Sequence, residues 1–152
     1  MKEYPWGKGT PTWVRDATLN DSDKSFTVPA GKVWVLSQVM ATLVATATAG
    51  NRVLTAMITN GTNAVHTSKP TGNIAASGSG TLCLSTTFSV STAPHRRISD
   101  DAVSASAVGL SDSLPYPCVL PAGYVVRVWD VAAIDAAADD LTVVLHYVEY
   151  DA

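Results

Sequence analysis

The chain has 152 residues, enough for one domain with a real core; 47% of them are hydrophobic, only 15% are charged, and the formal net charge is −3. Non-specific nucleic-acid binding rests on clustered Lys and Arg, and the longest basic run is Arg96-Arg97, so no direct nucleic-acid partner is expected. No apolar stretch approaches the thickness of a bilayer, and the N-terminal MKEYPWGKGTP has no apolar signal core, so the expectation is a soluble chain made in a cytoplasm, with no membrane partner.

Residues 1–25 read as an extended N-terminal arm. Pro5, Gly7, Gly9 and Pro11 interrupt any regular element, yet Tyr4, Trp6 and Trp13 place three large aromatics there. Such rings bury large areas and need a surface, so the arm packs either on its own domain or on a neighbouring subunit. Residues 26–152 read as a single β-sandwich domain that opens at Phe26-Thr27-Val28. Pro29-Ala30-Gly31 is a tight bend, because Pro presets φ and Gly accepts positive φ. Lys32 to Val44 is a strand with apolar residues on both parities, the pattern of a strand covered on both faces or of one that changes sheet. Ala49-Gly50-Asn51 is a turn, Arg52 to Thr59 a return strand, and Asn60-Gly61 a hairpin dipeptide.

Thr67 to Thr81, rich in Gly, Ser, Thr and Ala, predicts a long loop. Leu82 to Val90 follows as a strand, with Leu82, Leu84 and Phe88 sharing a face. Ser91 to Ser113 is polar and irregular, with a short strand placed at Ala102 to Leu110. The prolines of Leu114-Pro115-Tyr116-Pro117 keep that stretch extended. Tyr124 to Asp130 and Leu141 to Tyr150 are the closing strands, and the Ala-rich Val131 to Asp140 between them reads as loop in preference to a helical turn. The phrase apolar-Pro-Ala-Gly followed by a Trp-containing strand, a small-residue turn and a second apolar run therefore occurs twice, from Phe26 and from Cys118. The two copies are too far apart for a solenoid and fit two equivalent corners of one sandwich, whose first and last hairpins are built alike.

Little in the chain points to chemistry. His66, His95 and His146 have no zinc-binding spacing, and no Gly-x-Ser-x-Gly elbow is present. Asp100, Asp101, Asp135, Asp139 and Asp140 lack a calcium-loop pattern and read as turn residues. Cys83 and Cys118 read as free thiols in preference to a disulfide, which their spacing leaves open, and Trp34 and Trp129 as core residues in preference to a sugar-stacking platform. The expectation is a non-enzyme without catalytic, metal or cofactor sites. Its candidate contact residues are Tyr4, Trp6 and Trp13 in the arm and Arg96 and Arg97 in the long loop, the latter pair facing an acidic partner or solvent.

VPAGKVW with GNRVLTAMITNG, and the later LPAGYVVRVWDVAAIDAAADDLTVVLHYVEY, resemble small structural proteins of tailed-bacteriophage virions. The resemblance covers roughly residues 26–61 and 118–150. It implies an all-β, antiparallel β-sandwich of jelly-roll-like type, similar to capsid decoration (cement) proteins. That similarity in turn implies a homo-oligomer (dimer or trimer) on the capsid surface of a virion, bridging neighbouring major capsid subunits and clamping them with its arm. Two other roles stay open on the same residues: a head-tail connector, neck or tail structural protein, and a carbohydrate- or host-receptor-binding module.

Overall fold

The computed structural model describes residues 8–18, 22–69, 72–86 and 107–152. All regular structure in them is β: β1 (Thr10–Asp16), β2 (Asp23–Thr27), β3 (Lys32–Val44), β4 (Leu54–Thr59), β5 (Ala64–Ser68), β6 (Ser79–Ser85), β7 (Ala107–Ser113), β8 (Cys118–Leu120), β9 (Val125–Asp130) and β10 (Asp140–Asp151). One sheet runs β1-β10-β3-β6-β7, with β8 also paired to β3, and the other runs β2-β9-β4-β5. The sheets pack as a β-sandwich around Leu36, Val39, Leu43, Leu54, Ile58, Leu82, Leu84, Val126, Val128, Leu141, Val143 and Leu145, all buried. Pairing is antiparallel except between β6 and β7, which run parallel, a departure from the purely antiparallel sandwich expected.

The mixed parity of Lys32 to Val44 has a local cause. His146 pairs with Gln38 but Tyr147 pairs with Leu36, so Ser37 is an extra residue in β3. Before it Trp34 and Leu36 face the core; after it Val39, Ala41 and Leu43 do. The bulge switches the inward parity without leaving the sheet, and the Ser37 hydroxyl donates to the His146 carbonyl at 2.8 Å across it.

The doubled phrase forms the two equivalent corners expected, each joining the two sheets, and neither copy closes a hairpin. Pro29-Ala30-Gly31 carries the chain from β2 in one sheet to β3 in the other; Pro121-Ala122-Gly123 carries it from β8 to β9 in the opposite sense. Each is a turn closed by the fourth residue's N–H, Lys32 to the Pro29 carbonyl at 3.2 Å and Tyr124 to the Pro121 carbonyl at 3.1 Å. Gly31 and Gly123 supply the positive φ (73° and 84°) that the third position requires. The corners lie side by side, since Val28 N–H donates to the Tyr124 carbonyl and Gly123 N–H to the Val28 carbonyl. As a result β3 is paired by β8 and β10 of the second phrase, and β9 is paired by β2 and β4 of the first. The two phrases are interlocked, each holding the other's middle strand.

Element bounds differ from the sequence expectation at several places. The sheets begin before Phe26: β1 and β2 both lie within residues 10–27, so much of the expected arm is sheet packed on its own domain. The long loop is shortened at both ends by β5 and β6, and the described part of the strand placed at Ala102 to Leu110 belongs to β7, which runs on to Ser113. Residues 134–138 make one turn, closed by Ala138 and Asp139 N–H on the Asp135 carbonyl, and no helix follows. Asn60-Gly61 does head the β4–β5 hairpin, where Asn60 Oδ1 accepts the N–H groups of Thr62 and Asn63.

Candidate partner-binding surface

Residues opposite one another across antiparallel strands share a face, so the register defines the outer surface of the β3–β10 sheet. Trp13, His146, Gln38 and Ser85 form one row; Arg15, Val144, Met40 and Cys83 a second; Pro11, Val148, Val35 and Val119 a third. None of these residues is a carboxylate. Trp13 stands 64% exposed on the edge strand β1, a large ring with most of its area in water beside a half-buried aliphatic floor. A ring so placed contributes little to its own fold and much to a surface that covers it. The rim is polar: Lys32 bridges Glu149 at 3.3 Å and Asp151 at 2.7 Å, and these two acids raise the lysine's pKa. Glu149 also accepts the Trp34 indole N–H at 2.9 Å. Trp34 itself is core, stacked on Tyr147 with ring centroids 4.1 Å apart.

The outer face of the second sheet is different in kind. Arg127 lies 4.7 Å from the Trp129 ring centroid and is held by both carboxylate oxygens of Asp23. That places Trp129 half-buried under a guanidinium on an outer face, and not in the core where the sequence put it.

At the end of the sandwich away from the Pro-Ala-Gly corners, three loops meet on one buried charge. Arg52, fully buried, donates Nε and Nη2 to the two oxygens of Asp139 (2.9 and 3.1 Å), Nη1 to the carbonyls of Thr48 and Gly50 (2.7 and 2.9 Å), and Nη2 to Thr46 Oγ1 at 3.1 Å. Its backbone also exchanges hydrogen bonds with Ile74. Burial pushes the Asp139 carboxyl up, but the Arg52 guanidinium and the Thr46 N–H outweigh it and hold the group below its ordinary range. Asp135 accepts the hydroxyls of Thr46 and Thr48, and Asp130 Oδ1 accepts the N–H groups of Val53 and Ala132. Lys24 is likewise buried, donating to the Thr18 carbonyl at 2.8 Å and lying 3.4 Å from Asp16. These groups are hydrogen-bonded or ion-paired across the loops, so the arrangement is a fastening. Asp135 lies in a turn, as expected, whereas Asp139 is the buried counter-ion of Arg52, a role beyond the turn reading.

Of the candidate contact residues, Trp13 lies on the described surface, whereas Tyr4, Trp6, Arg96 and Arg97 lie outside the described residues. The structural weight of Arg52 and Lys24 was missed. In the sequence Arg52 opens a predicted strand and Lys24 lies in the expected arm beside Asp21 and Asp23, and neither pattern marks a buried charge. Cys83 and Cys118 are both free thiols, and burial pushes Cys118 up to about 11. Among the described residues, no group of three or more His, Cys, Asp and Glu is placed to hold a metal ion, and no helix is long and apolar enough to cross a membrane. No family model matches the sequence, and neither a curated protein nor a solved structure shows significant similarity to it.

Proposed function

We propose that this chain is a non-enzymatic virion structural protein that decorates a bacteriophage capsid and stabilises it by bridging neighbouring major capsid subunits, as a homo-oligomer. The observation that carries the reading is Trp13, 64% exposed on an edge strand beside a face that carries Val35, Val119, Val144, Val148 and Met40 and whose three central rows contain no carboxylate. The virion resemblance of the two interlocked phrases supports it, as does the rigidity such interlocking gives a module that must bear load. A small protein bridging shell subunits adds area that must be separated before the shell opens, and many weak contacts act together.

Trp13→Ala and Trp13→Arg test the reading. Both should leave the fold unchanged and weaken binding to assembled shells by about 2 kcal/mol or more, near 30-fold, if Trp13 is an anchor. Cosedimentation with shells built from the major capsid protein gives the affinity. Unaltered binding by both variants would remove Trp13 from the interface, and no binding by the parent chain would remove the capsid reading.

A further inference from the structure

Strand β1 is an edge: among the described residues it pairs with β10 and with no other strand. An edge strand presents a row of unpaired N–H and C=O groups, a ready template for another strand. The side chains on its outer face are unsatisfied as well. Trp13 is 64% exposed, and Arg15, two residues on and on the same face, is exposed and makes no hydrogen bond or ion pair among the described residues. The other sheet shows how these two residue types meet: Arg127 lies 4.7 Å from the Trp129 ring centroid, and that ring is half-buried. Among the described residues no guanidinium covers Trp13.

The pattern of β1 is self-complementary. When a strand pairs antiparallel with its own copy about a two-fold axis, residues equidistant from the axis meet, and each contact is made twice. With Val14 on the axis, Trp13 of one copy faces Arg15 of the other, and Thr12, a hydroxyl donor, faces the Asp16 carboxylate. Side chains directly opposite stand about 4.5–5.5 Å apart at Cβ, inside the distance of about 6 Å over which a guanidinium is drawn to an indole face. Neighbouring registers are poorer. An axis between two residues sets outward-facing side chains against inward-facing ones. An axis on Arg15 puts the two guanidinium groups opposite each other, and like charges so placed repel. An axis on Trp13 puts Arg15 against Pro11, which offers the cation nothing. With Val14 on the axis, Pro11, which has no N–H to give a ladder, falls opposite Ala17, beyond the end of the strand. We infer that β1 receives a second copy of this chain, whose own β1 adds antiparallel about Val14 with Trp13 and Arg15 of the two copies stacked reciprocally. The two outer faces then form one continuous surface with both indoles beside the axis. The inference deepens the homo-oligomer part of the proposed function and rests on that part alone.

The test uses the intact, purified chain with no shell protein present. Sedimentation equilibrium from about 1 μM to 1 mM, the span of weak to moderate affinities, measures a monomer–dimer constant. Trp13→Lys and Arg15→Glu should each weaken the dimer at least about tenfold, because each removes both stacked pairs at once. An equimolar mixture of the two variants should dimerise again. In this register position 13 of each copy lies opposite position 15 of the other, so the mixed dimer sets an ammonium against a carboxylate at one contact and a guanidinium against an indole at the other. A mixture no tighter than either variant would overturn the register and with it the proposal. Dimerisation untouched by both substitutions would place the interface elsewhere, and a parent chain that stays monomeric throughout would end the idea. Amide hydrogen exchange on the unaltered chain decides the matter even if a variant does not fold: exchange in Thr12 to Asp16 should slow as protein concentration rises, and rates independent of concentration would count against pairing. Failure here leaves the capsid reading to its own cosedimentation test, since shells enter only there.

Discussion

Replacing Arg52 by Met removes a guanidinium that is fully buried and makes five hydrogen bonds, two of them to Asp139. Asp139, also 0% exposed, then keeps the Thr46 N–H at 2.9 Å but loses its counter-charge. The Thr48 and Gly50 carbonyls lose a donor as well. Breaking a buried pair from one side costs about 3–5 kcal/mol, which for a chain of this size is a fall in Tm of about 6–20 °C. Asp139→Ala should cost a similar amount, because it strands the guanidinium. The double variant should cost at least about 2 kcal/mol less than the sum, since neither charge is then left alone. Urea unfolding followed by far-UV circular dichroism, with equal m-values across the set, measures all three. A single-variant loss below about 1 kcal/mol, or a double variant that is simply additive, would refute the claim that this pair fastens the loops.

The same pair sets acid sensitivity. Folded Asp139 titrates below its ordinary 3.8, so as pH falls the unfolded chain takes up the proton first; stability is full above about pH 4 and is lost on descent through the folded value. Asp16, lowered chiefly by the Thr18 backbone N–H, adds to the same limb. Urea midpoints between pH 2 and 6 should show this fall, and Arg52→Met should flatten it; a limb unchanged in the variant would place the titration elsewhere. Gly31→Ala and Gly123→Ala should each cost about 1–2 kcal/mol, through backbone strain alone, because an added Cβ meets nothing within 4 Å at either position. Near-equal losses in denaturant unfolding are the expected result, and a difference above about 1 kcal/mol would show that the two corners are not equivalent. Iodoacetamide at pH 8 should label half-exposed Cys83 first, while Cys118, buried and pushed up to about 11, reacts only on unfolding. Mass spectrometry reads the order, and equal rates would contradict the burial.

Local chemistry made much of this protein legible in its sequence. Pro-Ala-Gly announces a bend with positive φ wherever it stands, and both bends are where the residues put them. Val- and Leu-rich runs at Lys32 to Val44, Tyr124 to Asp130 and Leu141 to Tyr150 are strands, because β-branched side chains favour extended backbone. What a bend joins is not local. The repeated bend pointed to two equivalent corners, but which strands each corner joins was set by the pairing of β2 with β9 and of β3 with β8. Strand partners also decided that Thr10–Asp16 is sheet: seven residues with one aromatic and a proline carry weak propensity, and β10 supplies the ladder. The bulges at Ser37 and Val65 could not be read, since a one-residue offset exists only relative to a partner. Charge was hardest. Arg52 and Asp139 lie 87 residues apart, and in sequence one opens a predicted strand and the other sits in a predicted loop; only a fold that brings three loops to one end of the sandwich turns them into a buried pair. The sequence by itself determined where this chain extends and where it bends. Which faces are covered, which charges are buried and which ring is left in water were decided by tertiary pairing, because each depends on residues that meet only across the sheets.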